Sequence, residues 1–169
     1  MSKKFNLYIG KSGQLAAMSE FLARGWNVAM PEVDIGDDIF VVEDKKGIFQ
    51  RVQVKSALAK ERKDGYSVQF NLSYEQLRLP TVPEIYFVFM IRHDDKWSDV
   101  LIIDRETLYL FHRNQNIGSR FGDNLMLYFS FQNQKVTCSK QDFTPFVSNY
   151  EDFPIISHWD TEGGFIFFK

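Results

Sequence analysis

Leu15, Met18 and Leu22 recur at helical spacing after Ser12, joined by alanines and Phe21, which predicts an amphipathic helix over residues 12–25. Ser12 stands where a cap would accept a hydrogen bond, and Gly25 closes the segment, because glycine tolerates the left-handed conformation in which helices commonly end. The period then changes. Trp26-Asn27-Val28-Ala29-Met30 alternates and predicts a strand stopping at Pro31. Asp38–Val42 and Ile48–Ser56 are β-rich and flank the polar run Glu43-Asp44-Lys45-Lys46-Gly47, so together they predict a β-hairpin.

Further strands are expected at Tyr66–Leu72, Ile85–Ile91 and Asp99–Ile103, and a helix at Arg105–Arg113 capped by Asp104. Leu125–Phe131 and Lys135–Ser139 pattern as a second hairpin, Asp142–Tyr150 as a closing helix, and the apolar tail Gly163–Lys169 as a docked segment. A helix, three strands, then more strands with short helices suggest an α/β or α+β fold whose mixed sheet is covered on both faces near its middle. Neither a linker nor a long-period repeat divides residues 1–169, so a single domain is expected.

The chain of 169 residues is large enough to bury a substantial core, and its 17 Phe assign many core positions to rings. A net charge of -2 neither points to nor excludes nucleic acid, since a protein can be acidic at a metal site and basic along a groove. Cys138, the single cysteine, cannot form an internal disulfide and reads as a small buried strand residue. Lys3 and Lys4 precede no long apolar run, so the expectation is a reducing, cytoplasmic compartment with no membrane span. His93, His112 and His158 show no metal-ligand spacing, and Gly10-Lys11-Ser12 has Phe5 where a nucleotide-binding loop needs glycine.

The first hairpin carries the chemistry. Gln53 and Lys55 are two apart on a strand and share a face, while Val54 points to the other. Asp38 begins the partner strand. A turn centred between Lys45 and Lys46 sets Asp38 opposite Gln53, and one centred between Lys46 and Gly47 sets it opposite Lys55. In both registers the three share a face; an odd loop without a bulge would put Asp38 opposite Val54. A carboxylate and an amide oxygen suit a hard divalent ion such as magnesium, and an ammonium beside them can orient water or stabilise a phosphoryl transition state.

Around these residues the order is Gly13-Gln14-Leu15-Ala16-Ala17, Arg24-Gly25-Trp26-Asn27-Val28, Asp34-Ile35-Gly36-Asp37-Asp38-Ile39 and Val52-Gln53-Val54-Lys55-Ser56. This resembles the PD-(D/E)xK nuclease superfamily, in particular its archaeal Holliday-junction-resolvase-like branch, over roughly residues 10–56, with looser similarity to about residue 103. The resemblance implies a restriction-endonuclease-like mixed β-sheet flanked by helices, here with extra C-terminal strands. It implies Asp38 as central metal ligand, Gln53 as second ligand assisted by the Val54 carbonyl, Lys55 as catalytic lysine, and magnesium or manganese as cofactor. Two positions depart from the pattern: Gln53 replaces the acidic residue, as in some homing endonucleases of the superfamily, and Gln14 replaces the glutamate of the first helix.

The activity implied is metal-dependent hydrolysis of DNA phosphodiesters. The rival is an inactive nuclease-like domain that binds nucleic acid or a protein partner. A homodimer or higher homo-oligomer is a further expectation, because cutting both strands commonly uses two related sites. The charged run Lys60–Gly65 reads as a hairpin or loop, and Asp34 and Asp37 as either a solvated turn or support for the metal.

Overall fold

The computed structural model describes residues 3–33, 36–43, 47–151 and 153. Its first helix, α1 (Lys3–Ala23), starts well before Ser12. Ser12 is therefore interior rather than a cap, and its hydroxyl donates to the Ile9 carbonyl at 3.2 Å. Glycine inside a helix costs about 1 kcal/mol relative to alanine, yet packing demands one at Gly13, where a Cβ would stand 1.8 Å from Ser56 Oγ. Gly25 ends the helix as expected, with φ at +83°, the Gly25 amide donating to the Leu22 carbonyl and the Trp26 amide to that of Phe21.

The expected strands and hairpin follow as β1 (Asn27–Ala29), β2 (Ile39–Glu43) and β3 (Ile48–Leu58). The charged run after β3 supplies β4 (Lys60–Arg62), whose turn leads into β5 (Gly65–Ser73). A short helix absent from the sequence reading, α2 (Tyr74–Arg78), is capped by Ser73, whose hydroxyl accepts from the Gln76 amide. Next come β6 (Ile85–His93), β7 (Lys96–Asp104) and α3 (Arg105–Gln115), with Asp104 accepting from the Thr107 amide at 2.8 Å. The chain continues through β8 (Ser119–Phe121), β9 (Asn124–Gln132), β10 (Lys135–Cys138) and β11 (Gln141–Asp142).

The helix expected over Asp142–Tyr150 does not form. Only a 3₁₀ turn, Thr144–Phe146, follows β11, with a proline in its first turn. The local backbone groups are used otherwise: the Phe143 amide donates to the Val136 carbonyl and the Val136 amide to the Thr144 hydroxyl. That pairing draws the Phe143 ring into the core against Phe111 and Phe129. The tail Gly163–Lys169 lies outside the described residues.

Two sheets result. The first runs β1-β2-β3-β6-β7 and is mixed, with β3 and β6 parallel and its other pairs antiparallel. The second runs β11-β10-β9-β5-β4, with β8 also on β9, and is antiparallel throughout. Phe70, Phe89, Phe129 and Leu101 belong to the core between the sheets, which also takes in Leu108 of α3. On the opposite face of the first sheet, Val52, Val54 and Val88 pack with Ala17 and Phe21 of α1. This is a mixed α/β fold whose first sheet is covered on both faces, and Cys138 is buried as expected. No described helix is long and apolar enough to cross a membrane.

Candidate active site

The site lies where β2 stops pairing with β3. The ladder runs from Glu43↔Ile48 to Ile39↔Val52, the register in which Asp38 falls opposite Gln53. Beyond Val52, β3 keeps β6 on one side, from Gln53↔Phe87 to Leu58↔Arg92, while among the described residues its other edge is left without a strand.

Asp38 sits at that open edge. Its amide donates to the Val52 carbonyl at 3.0 Å, and its Oδ2 accepts from the Val54 amide at 2.7 Å. The side chain thus takes the hydrogen bond that a longer β2 would have made, which holds the carboxylate near the plane of the sheet. Gln14 of α1 adds a third tie, donating from Nε2 to the Asp38 carbonyl at 2.5 Å while Oε1 accepts from Lys11 at 2.8 Å. Both ends of the Gln14 amide are therefore engaged with protein groups.

The loop before Asp38 is held as firmly. Asp37 is 3% exposed and receives the Arg51 guanidinium Nε at 3.0 and 3.1 Å on its two oxygens. It is not a solvated turn residue; its carboxylate is paired with Arg51. Gln76 of α2 donates to the Gly36 carbonyl at 2.6 Å. Asp34 lies outside the described residues.

Along β3, Val52 and Val54 face α1, so alternation turns Gln53, Lys55 and Ala57 toward the second sheet, where Ala57 packs on its core. Gln53 is 7% exposed, and its Oε1 has no hydrogen-bond partner among the described residues. Ser56 Oγ, beneath Gly13, is likewise without one. Lys55 and Ser56 line a cleft of about 430 Å³, closed on one side by Asn6 of α1 and on the other by Gln69 and Asn71 of β5. The structure therefore gathers Gln14, Asp38 and Val54 at one point on the open edge, with Gln53 and Lys55 on either side of Val54.

The polar ties of Arg51, Gln76 and Gln14 to this loop were not anticipated in these roles, because each joins residues distant in sequence with no motif to announce the contact. A second group was also missed. Glu61, His93 and Asp94 bring their ligand atoms within 4.8 Å of one another, and His93 bonds the Glu61 carboxylate while its ring stacks on Tyr66. Glu61 and Asp94 are largely exposed. The group arises because β4 folds back beside the end of β6, which no spacing in the chain reveals.

No family model matches this chain, and no curated protein does. Among solved structures it is similar to a bacterial homing endonuclease, I-Ssp6803I, with 18% identity, a TM-score of 0.49, and coverage of 79% of this chain and 82% of that one. At that identity and score the likeness is one of chain course and assigns no activity.

Proposed function

We propose that this protein is a divalent-metal-dependent endonuclease that hydrolyses phosphodiesters in DNA, working at the open edge of β3. The observation that carries the reading is the buried Gln53 Oε1, which lacks a donor and belongs to the residue beside the amide that clasps Asp38. Leaving a buried acceptor unpaired costs about 1–3 kcal/mol, a penalty a hard cation would remove. The donor set suits such an ion: a carboxylate from Asp38, an amide oxygen from Gln53 and the Val54 carbonyl. In a strand the N–H and C=O of one residue leave by the same edge, so the Val54 carbonyl leaves by the edge on which Asp38 sits.

When bound, magnesium or manganese supplies Lewis-acid polarisation of the phosphate and acidifies water. The protein's own groups do the rest. Asp38 and Gln53 hold the ion, Gln14 and the Arg51–Asp37 pair fix the loop that presents Asp38, and Lys55 places positive charge in the cleft where a transition state would gather negative charge. With one carboxylate and two neutral oxygens the site is poor in charge, so substrate phosphate is expected to complete its affinity for the ion.

The neutral amides at positions 14 and 53 favour one alternative, a nuclease-like domain that binds DNA without cutting it. Metal titration by calorimetry beside a plasmid-nicking assay separates the two. Asp38→Ala should abolish nicking and weaken metal binding. Lys55→Ala should lower nicking by at least about 100-fold while metal binding persists, because an ammonium is not a ligand. A wild-type protein that binds no divalent ion and nicks no DNA would refute the enzyme reading.

A further inference from the structure

The second sheet presents one face to the core and one to solvent. Along β5, Val68, Phe70 and Leu72 are buried while Gln69, Asn71 and Ser73 are exposed; along β9, Leu125, Leu127 and Phe129 are buried while Asn124 and Tyr128 are exposed. Register carries the outward positions across the strands: Lys60 pairs with Ser67, Ser67 with Ser130, and Ser130 with Thr137. The outward positions of β4, β5, β9 and β10 include the cations Lys60, Arg62 and Lys135 and no carboxylate. The outward carboxylate of this sheet, Asp142, is at the far edge on β11. The whole chain has 22 acidic against 20 basic residues, so this segregation is not a consequence of composition.

We infer that the outer face of the second sheet is a docking surface for duplex DNA, with β5 and β9 reading a groove and the cations of β4 and β10 gripping the flanking phosphates. The inference rests on the endonuclease reading and gives it a recognition surface. Geometry favours the duplex. Strands lie about 4.8 Å apart, so β4 and β10, separated by β5 and β9, stand about 14 Å apart, close to the roughly 12 Å width of the major groove. Past the ends of β4 and β10 on the same face, Gln69 pairs with Tyr128 and Asn71 with Met126. Glutamine and asparagine amides match the donor–acceptor pair on adenine's major-groove edge, and a thioether can meet a thymine methyl.

The face is also held in shape. Arg62 donates to the Ser67 hydroxyl at 2.9 Å and to the Tyr128 hydroxyl at 2.6 Å. Hydrogen bonds from Ser67 and Arg62, with the nearby positive charge of Arg62 and Lys60, lower the Tyr128 phenol below its ordinary pKa. Gln69 and Asn71 also line the cleft of Lys55, so DNA on this face would continue directly to the chemistry.

The test is binding of fluorescein-labelled duplex DNA in EDTA, by anisotropy across a salt series, so that cleavage plays no part. Lys60→Ala with Lys135→Ala should weaken binding at least tenfold and lower the slope of log affinity against log salt by about 2. Gln69→Ala with Asn71→Ala should leave that slope unchanged but flatten the preference among duplexes selected from a random pool. Lys96→Ala, in the first sheet, is the control, and circular dichroism verifies folding. If the wild type binds and the lysine pair binds equally well, this surface is wrong while the endonuclease reading stands. Tighter binding to single-stranded DNA or to an acidic polypeptide would also overturn it. If the wild type neither binds nor cuts any DNA, both readings fall together.

Discussion

The two sheets obey different rules of composition. In the first, β6 reads Ile85-Tyr86-Phe87-Val88-Phe89-Met90-Ile91, a nearly unbroken apolar run, because α1 covers one face and the second sheet the other. In the second, β9 and β5 from Val68 onward alternate, because one face meets the core and the other meets water; outward Ser67 is the exception, buried and bonded by Arg62. A polar side chain therefore means different things in each. On the outer face of the second sheet it is ordinary. Inside the first sheet, Gln53 next to Phe87 is an anomaly, and its unpartnered oxygen says the position is not there for stability. The contrast divides the labour proposed for the protein: chemistry where a polar group is buried at a cost, recognition where polar groups are free of that cost.

The largest test of this contrast is thermodynamic. Phe89→Ala, between the sheets, should cost about 3–5 kcal/mol, whereas Gln69→Ala on the outer face should change stability by less than about 0.5 kcal/mol. Urea unfolding measures both, and equal losses would erase the distinction. Next in size is Gln14→Glu, which replaces the donor to the Asp38 carbonyl with a second acceptor. In chelator it should lose about 1–3 kcal/mol, with part of the loss recovered on adding magnesium if the new carboxylate meets the ion. The smallest effect sharpens the comparison most. Gln53→Met keeps the volume and removes the unpaired oxygen, so stability in chelator should stay level or rise by up to about 1 kcal/mol. Magnesium should then no longer shift the melting curve. Clear destabilisation would mean that the Gln53 amide supports the fold, and the trade of stability for function would not apply here.

Much of this architecture was legible in the chain because it depends on near neighbours. Gly25 closes α1, Asp104 caps α3, and the β2–β3 hairpin has one of the expected registers, since each rests on local conformation or on pairing across a short turn. The start of α1 differs from the expectation because Ser12 looks like a cap, whereas it lies inside the helix with its hydroxyl donating to the Ile9 carbonyl. The closing helix failed for the converse reason: tertiary pairing of Phe143 and Thr144 with Val136 outweighed a weak local pattern.

The sequence by itself determined the candidates, because the chemical type of Asp38, Gln53 and Lys55 and the two-residue period of a strand are properties of the chain alone. Only the tertiary structure decided their setting. The early end of β2 opens the edge of β3, the Arg51–Asp37 pair and Gln14 clamp the loop at that edge, and the crossover from β3 to β6 carries β4 and β5 out into a second sheet. The outer face with its three cations and no acids on four strands is invisible in the linear sequence, since Lys60, Arg62 and Lys135 become neighbours of one surface only when those strands pair. Hydrogen bonding between strands distant in the chain depends on which edges the core leaves free, and that is settled by the packing of the whole molecule rather than by any segment of it.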